Sequence, residues 1–408
     1  MHVSDGHSAR GGFSRGECKL AGGKLVGINV RRDGTGAVAQ CRLDGDFFLD
    51  GADDREIAAL VHDIERALVE GIRIEAVFAR HAGTSIVGVD AASIETAFAR
   101  AVEAGTNTAS DALADEQPGE AKIRTQSPRP QAQEPQAQEA RTSKTRPYAA
   151  ASVPSPAPLL TATVNADALW DEARRRWADL RPVVIHDRAR QPQDQMDVDE
   201  QWAREVAAGT RPATLRIWEW ASSAVIIGRF QSLEDSVDLE ACRREQVSVV
   251  RRCTGGGAMF VEPGNTITYS LYAPRDFVRD VSIEQSYRLC DQWLVDALDG
   301  IGLDVRFSGF NDIASQYGKI GGAAQRRFPP QGAGPGSLLH HVTMSYDIDA
   351  AKMGRVLKVS REKLRDKAVR SAVRRVDPLR SQTGMDRASV IALLTESARG
   401  GSTMGLSR

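Results

Sequence analysis

The chain has 408 residues, 41% hydrophobic and 26% charged, enough for two or three globular units with their own cores. Its 53 basic and 54 acidic side chains nearly cancel, which argues against a nucleic-acid partner held by bulk charge and leaves any anion site local. No apolar run approaches the roughly 18 residues of a membrane span, and MHVSDGHSARGG lacks a signal-peptide pattern, so a cytoplasmic protein without a membrane partner is expected. The cysteines Cys18, Cys41, Cys242, Cys253 and Cys290 are scattered and never in C-x-x-C spacing, so free thiols are expected rather than a disulfide framework or zinc site.

After a flexible start at 1–16, residues 17–104 read as a small α+β unit. GKLVGINVRR, DGTG and AVAQCRLDGDFF make a hairpin around a glycine-rich turn. Asp53 and Glu56 open a helix with Ile57, Leu60, Val61, Ile64 and Leu68 at helical spacing, closed by Gly71, and a second helix is expected from about Asp90 to Glu103. The unit holds no nucleophile, metal constellation or phosphate loop, so it reads as a binding or supporting module; GGK at Gly22–Lys24 reads as a strand entry. Residues 105–158, with PRPQAQEPQAQEARTSKTRP and SVPSPAP, have too little apolar surface to offset ordering entropy and form a flexible linker.

Residues 159–398 carry the chemistry, ahead of a flexible tail at 399–408. TLRIWEW, AVIIGRF, VSVVRR, TITYSLYAP and HHVTMSYDID read as strands; Ile267, Tyr269 and Leu271 alternate with Thr266, Thr268 and Ser270 as in a half-buried sheet. Ser282 and Gln285 form a capping box before a helix whose apolar stripe includes Cys290.

RRCTGGGAMFVEPGN, Arg251–Asn265, hands a strand over to three consecutive glycines. Ordering adjacent glycines is entropically costly, so some group must approach the main chain more closely than a Cβ allows. The N–H groups of Gly255, Gly256 and Gly257 facing an anion, with Arg251 and Arg252 as planar forks, would make a phosphate or carboxylate cradle; a plain turn between strands is the structural alternative. Neither the P-loop pattern nor G-x-G-x-x-G occurs here. In SGFNDIASQYGKIGGAAQRR, Ser308–Arg327, the pair Asn311-Asp312 precedes Lys319. Gly318, Gly321, Gly322, Ala323 and Ala324 keep the lysine's surroundings narrow enough for a ligand to lie against the backbone.

With TLRIWEW, VIIGRFQ, VVRRCTGGGAMF, GNTITYS, NDIASQYGKIGGAAQRR, LLHHVTM and SREKLRDKAVRSAVRRVDPL in this order, the second domain resembles the lipoate-protein ligases. GGKLVGINV with LDGDFFL resembles the accessory domain of those ligases, here placed first. The resemblance implies an α+β fold with mixed and antiparallel sheets and flanking helices, biotin/lipoate ligase-like and class II synthetase-like, plus a small α+β accessory domain. It implies activation of lipoate by ATP to lipoyl-AMP, with Mg²⁺, and transfer of the lipoyl group to a lysine of a lipoyl domain. The acceptors would be E2 subunits of 2-oxoacid dehydrogenase complexes or the glycine cleavage H protein.

By motif position, Arg251 and Arg252 bind nucleotide phosphates, and Gly255, Gly256, Gly257, Ala258, Met259 and Phe260 hold and wall the adenylate. Lys319 is the expected catalytic residue, contacting the lipoate carbonyl side and the α-phosphate. Asn311, Asp312 and His341 are candidate adenylate or metal contacts; an Asx turn at Asp312 and strand-end histidines binding loop carbonyls at His340 and His341 are the structural alternatives. Leu215, Trp218 and Ile227 are candidate walls of an apolar lipoyl slot, and RFPPQGAGPGS reads as a lid or irregular loop. Two other functions fit the same resemblance: an octanoyltransferase carrying its acyl group on a protein nucleophile without ATP, and a non-catalytic lipoate- or lipoyl-domain-binding protein. In cysteine-dependent transferases the nucleophile precedes the lysine motif, where this chain has FSGFND; Cys253 is the cysteine beside the glycine turn. The GRGRxG loop of biotin ligases is absent.

Overall fold

The computed structural model describes residues 12–51, 53–114, 166–358, 360, 362 and 377–400. The expected linker beyond Ala114, the tail from 401 and most of SREKLRDKAVRSAVRRVDPL lie outside the described residues. Among the described residues, no helix is long and apolar enough to cross a membrane.

The expected hairpin is β2 (Leu25–Arg32) against β3 (Val38–Gly45), and β1 (Phe13–Lys19) adds a third antiparallel strand. The sequence FSRGECK alternates too weakly to announce β1, which begins inside the stretch read as a flexible start. A ribbon of β4 (Phe48–Asp50) and β5 (Ser85–Val87) leads into and out of α1 (Asp54–Glu70) and α2 (Ile74–Arg80). The Asp53 carboxylate accepts from the N–H groups of Arg55 and Glu56 at the start of α1, and Gly71 ends it in the left-handed region. Ile57, Leu60, Ile64 and Leu68 are buried as the spacing predicts. The following helix, α3 (Ala91–Ala114), runs beyond Glu103 into residues read as linker.

The second unit contains α4 (Ala166–Leu180), β6 (Val183–His186), α5 (Pro192–Ala207), β7 (Thr214–Trp218), β8 (Ala224–Ile227), α6 (Leu233–Ser236) and α7 (Leu239–Arg244). It continues with β9 (Ser248–Arg251), β10 (Met259–Val261), β11 (Thr266–Pro274), α8 (Ile283–Asp299), β12 (Arg306–Ser308), β13 (Asp312–Ala314) and β14 (Lys319–Phe328). Its last described elements are β15 (Ser337–Ser345), α9 (Ala350–Val356), α10 (Leu379–Thr383) and α11 (Arg387–Ala398). The main sheet runs β12-β13-β14-β15-β11-β7-β6, antiparallel except for the parallel β6–β7 pair. A small second sheet runs β10-β8-β9. This is the mixed-sheet α+β architecture that the sequence implied, and the Ser282–Gln285 capping box opens α8 as expected.

β11 coincides with TITYSLYAP, yet both of its faces are buried. Ile267, Tyr269 and Leu271 pack into the core with Leu289, Trp293 and Leu294 of α8. The opposite face joins a buried polar layer, where Trp218 Nε1 donates to Ser270 Oγ at 3.0 Å and Trp220 Nε1 to Thr268 Oγ1 at 3.3 Å. Leu215, Trp218 and Ile227 fall into three separate apolar clusters, so they do not line one slot. RFPPQGAGPGS forms the β14–β15 hairpin loop, packed against the end of α5: the N–H groups of Gln331 and Gly336 both donate to the Ala207 carbonyl. The ten-residue β14 holds this loop roughly 30 Å from Lys319, so it is no lid over that lysine.

β13 pairs with β14 only as far as Gly322, leaving the outer edge of β14 beyond Ala323 exposed to pairing. Open edges invite aggregation, and here the first unit covers this one. Phe48, 4% exposed, enters the core of the second unit, stacked on Phe310 at 5.6 Å and edge-on to Tyr287 at 5.8 Å. Phe47 stacks on Phe230 at 5.4 Å. Asp54 binds Arg326 at 2.7 Å and Arg229 at 3.1 Å, and Asp50 pairs with Arg327. Phe48→Ala should therefore lower second-unit stability by about 3 kcal/mol, read as an earlier urea midpoint in tryptophan fluorescence. An unchanged midpoint would remove Phe48 from the core.

Candidate active site

Strand register assembles the site before any side chain is considered. Asp312 lies opposite Gly322, Gly322 opposite Thr343, and Ala324 opposite His341, so these residues share one face of the main sheet. Gly322 and Ala324, about 7 Å apart along β14, make a floor almost free of side chains. At one end of it Lys319 Nζ binds Asp312 Oδ1 at 2.8 Å. A Cβ on Gly322 would lie 3.4 Å from that carboxylate oxygen and 3.5 Å from the ammonium, so the glycine gives the pair room. At the other end stands His341, with the glycine turn above it.

What approaches the glycine turn is another part of the chain. A Cβ on Gly255 would sit 2.5 Å from the Phe47 carbonyl oxygen and 3.1 Å from Phe48 Cα. The Gly256 N–H donates to that carbonyl at 3.4 Å, and Gly256, at φ +97°, has the Phe48 ring 3.2 Å from where its Cβ would be. The arginines also turn inward. Arg252, 5% exposed, donates to Thr254 Oγ1 at 3.0 Å and to the carbonyls of Gly255 at 2.8 Å and Gly257 at 2.9 Å. Burial lowers its pKa to about 10, which leaves it protonated at neutral pH. Arg251 Nη1 donates to the carbonyls of Gly228, Arg229 and Gln231. In this structure both arginines brace the loop by its carbonyls. Ala258 and Phe260 pack into the apolar cluster around Ile227 and Val237, while Met259 belongs to that around Trp218, so this run backs the turn from behind.

Beside the floor, on the same face of the sheet, lies a hydrogen-bonded chain. His341 Nδ1 meets Asp199 Oδ2 at 2.9 Å, and His341 Nε2 meets Thr254 Oγ1 at 2.8 Å. Asp199 Oδ1 also accepts from Ser270 Oγ at 2.8 Å and Tyr272 Oη at 2.6 Å. Burial alone would raise the Asp199 carboxyl, but the His341 hydrogen bond and the Arg216 charge outweigh it and hold the group below the usual carboxylate range. Burial pushes the His341 imidazole down, so it is neutral and donates through Nδ1 to Asp199. His341 thus anchors the turn through Thr254, and His340 is spent on Asp291 at 2.6 Å and Gln325 at 2.9 Å. Asp199 was not singled out from sequence, although Gln195, Met196, Asp199 and Ala203 trace a buried helical stripe in α5 with two polar members, a signal for an internal polar layer.

Two further residues come from the first unit. Phe48 fills the space between the glycine turn and Phe310, and Lys24 Nζ donates to Asn311 Oδ1 at 2.5 Å. The Asn311 amide in turn donates to the Ala323 carbonyl. Burial raises the pKa of all five thiols, that of Cys253 to about 11. An open cavity of about 990 Å³ lies elsewhere, lined by His186, Glu219, Arg387 and Ile391; its central Glu219–Arg387 pair closes on itself, and neither Lys319 nor the turn borders it.

Comparison with known proteins gives a consistent family. The profile of the lipoyl protein ligase A/B catalytic domain matches residues 191–399, about half of the chain. An octanoyltransferase LipM of Clostridioides difficile is 28% identical over 49% of this chain and 79% of its own length. Lipoate-protein ligase A subunit 1 of Thermoplasma acidophilum is 33% identical over 44% of this chain and 67% of its own. Among solved structures, a bipartite lipoate protein ligase and its E2 lipoyl domain from Thermoplasma acidophilum gives a TM-score of 0.46 at 27% identity, covering 54% of this chain and 83% of that one. A lipoate-protein ligase A bound with ATP gives 0.43 at 23% identity, with 53% and 85% covered.

The buried chain sets a pH dependence. His341 has a folded pKa below its unfolded value of about 6.5, so as pH falls the unfolded state takes up the proton first. Its contribution is complete above about pH 6.5 and is lost as pH falls toward the folded pKa; that of Asp199, also depressed, is lost only below about pH 4. The melting temperature should drop between about pH 7 and pH 5, less steeply in His341→Gln. Equal slopes in the two proteins would exclude His341 as the source.

Proposed function

The chain belongs to the lipoyl protein ligase A/B family, and on that premise we propose that it is a lipoate-protein ligase that condenses lipoate with ATP to lipoyl-AMP with release of pyrophosphate and passes the lipoyl group to a lysine of a lipoyl domain with release of AMP. The observation that carries this reading is the Lys319–Asp312 pair at one end of a floor stripped of side chains, with no activated thiol beside it. An acyl-cysteine route needs a thiolate near neutral pH, whereas an adenylate route needs charge neutralisation and alignment.

The side chains of Lys319 and Asp312 are 35% and 25% exposed. Pairs with this much solvent contribute only about 0–1 kcal/mol, so the ammonium can exchange the carboxylate for a substrate oxygen at little cost. Facing lipoate and the α-phosphate together, Lys319 would offset the repulsion as one anion attacks another. The bare floor at Gly322 lets the acyl phosphate lie close to the strand. Once Lys319 has turned to the substrate, Asp312 can accept a hydrogen bond from the incoming amine in the transfer step. The mixed anhydride carries its own good leaving group, AMP, so no protein nucleophile is required.

Among the described residues no group of three His, Cys, Asp or Glu side chains could hold a metal. Mg²⁺ usually binds one or two carboxylates together with substrate phosphates, and Asp312 with the Asn311 amide oxygen suits that mode. When bound, the ion would neutralise triphosphate charge. The Thermoplasma structure that pairs a ligase with an E2 lipoyl domain supports a lipoyl domain as acceptor; a glycine cleavage H protein is a second acceptor of the same kind. ATP as substrate and free cysteines suit a cytoplasmic setting.

The match to an octanoyltransferase favours a second reading, acyl transfer from octanoyl carrier protein without ATP. A lipoate-dependent ATP–pyrophosphate exchange assay separates the two: exchange supports the ligase, and acyl transfer without ATP and without exchange supports the transferase. Lys319→Ala should reduce exchange at least about a hundredfold while circular dichroism and melting stay near wild type. Near-normal exchange by the folded variant would contradict the role given to Lys319.

A further inference from the structure

We propose that Lys24, a residue of the first unit, is a substrate-contacting cation of the adenylation step, so that the phosphate-binding charge comes from both units. The proposal rests on the ligase reading above and adds a residue that no feature of the second unit supplies.

Adenylation brings a carboxylate against a triphosphate, and the site must present cations able to turn toward it. The two arginines beside the glycine turn are committed to main-chain carbonyls, Arg252 in the interior. Arg326 and Arg327 are committed to Asp54 and Asp50 across the domain contact. Two ammonium groups reach consecutive residues of one short segment: Lys24 at Asn311 and Lys319 at Asp312.

The backbone aims Lys24 there. Gly88, at φ +94°, has the Lys24 stem where a side chain would be: a Cβ would fall 2.3 Å from Lys24 Cγ. The Gly88 carbonyl accepts from the Lys24 N–H at 2.6 Å, which fixes the root of the side chain. The ammonium then passes over the Phe48 ring, 5.2 Å from its centroid, before reaching the Asn311 amide oxygen. Phe48 also touches Gly256, so one aromatic ring joins Lys24 to the glycine turn. The half-buried stem thus lies along an aromatic face and carries the ammonium to the segment that holds the Lys319–Asp312 pair.

The test uses the full-length chain with Lys24→Met, Lys24→Arg and Asp54→Asn. Asp54 supports docking of the two units and lies outside the chemistry, so Asp54→Asn measures what loss of a domain contact does by itself. In lipoate-dependent ATP–pyrophosphate exchange, Lys24→Met should lose at least about tenfold in kcat/KM for ATP, Lys24→Arg should recover at least about a third of wild-type activity, and Asp54→Asn should stay within about threefold. Transfer from supplied lipoyl-AMP should change less than exchange in Lys24→Met, because the triphosphate charge is no longer present. Equal exchange in Lys24→Met and wild type, or equal losses in Lys24→Met and Asp54→Asn, would overturn the assignment and reduce Lys24 to a domain latch. A wild-type protein without exchange would overturn the ligase reading first, and this assignment with it.

Discussion

The Phe47–Phe48 peptide lies against Gly255 and Gly256 so closely that no side chain fits between them. With this contact go the first two glycines of the turn, the inward turn of Arg252 beneath them and the burial of an aromatic ring from the first unit in the core of the second. The same approach closes the outer edge of β14, which β13 leaves unpaired beyond Ala323. Cover for an edge strand and packing against the glycine turn are thus supplied by one segment.

Electrostatics divide the site into fixed and movable charge. Arg252, Asp199 and Arg216 are buried and each makes several hydrogen bonds, as a buried charge must. These groups define the shape of the turn and the sheet behind it. The half-exposed Lys319–Asp312 pair contributes little to stability and can exchange partners. Exchangeable charge therefore stands at the rim, where rearrangement is cheap, and structural charge in the interior, where it is not.

Much of this was legible in the chain. Apolar spacing located α1 and α8, alternation located β11, and the capping box marked where α8 begins. The order of motifs pointed to the family that the match over residues 191–399 shows, and the sequence itself sets Asn311, Asp312 and Lys319 close together along the chain. Other readings needed the third dimension. The glycine turn was expected to face an anion and instead faces a peptide; both explanations require the same absence of Cβ, so residue type could not separate them. RFPPQGAGPGS has the composition of a mobile loop but is tied to the Ala207 carbonyl. Leu215, Trp218 and Ile227 are apolar strand residues that could have lined a slot, and only their neighbours show that they occupy separate clusters.

By itself the sequence determined what depends on local chemistry: which segments become helices and strands, where glycine relieves crowding, and which charged residues stand close together along the chain. Tertiary structure decided which distant groups share a surface, placing Lys24 on Asn311, Asp199 on His341 and Phe48 on the glycine turn. The reason is that hydrogen bonds and packing contacts act over a few ångströms in space, whereas these partners lie far apart along the chain and leave no periodic trace in it.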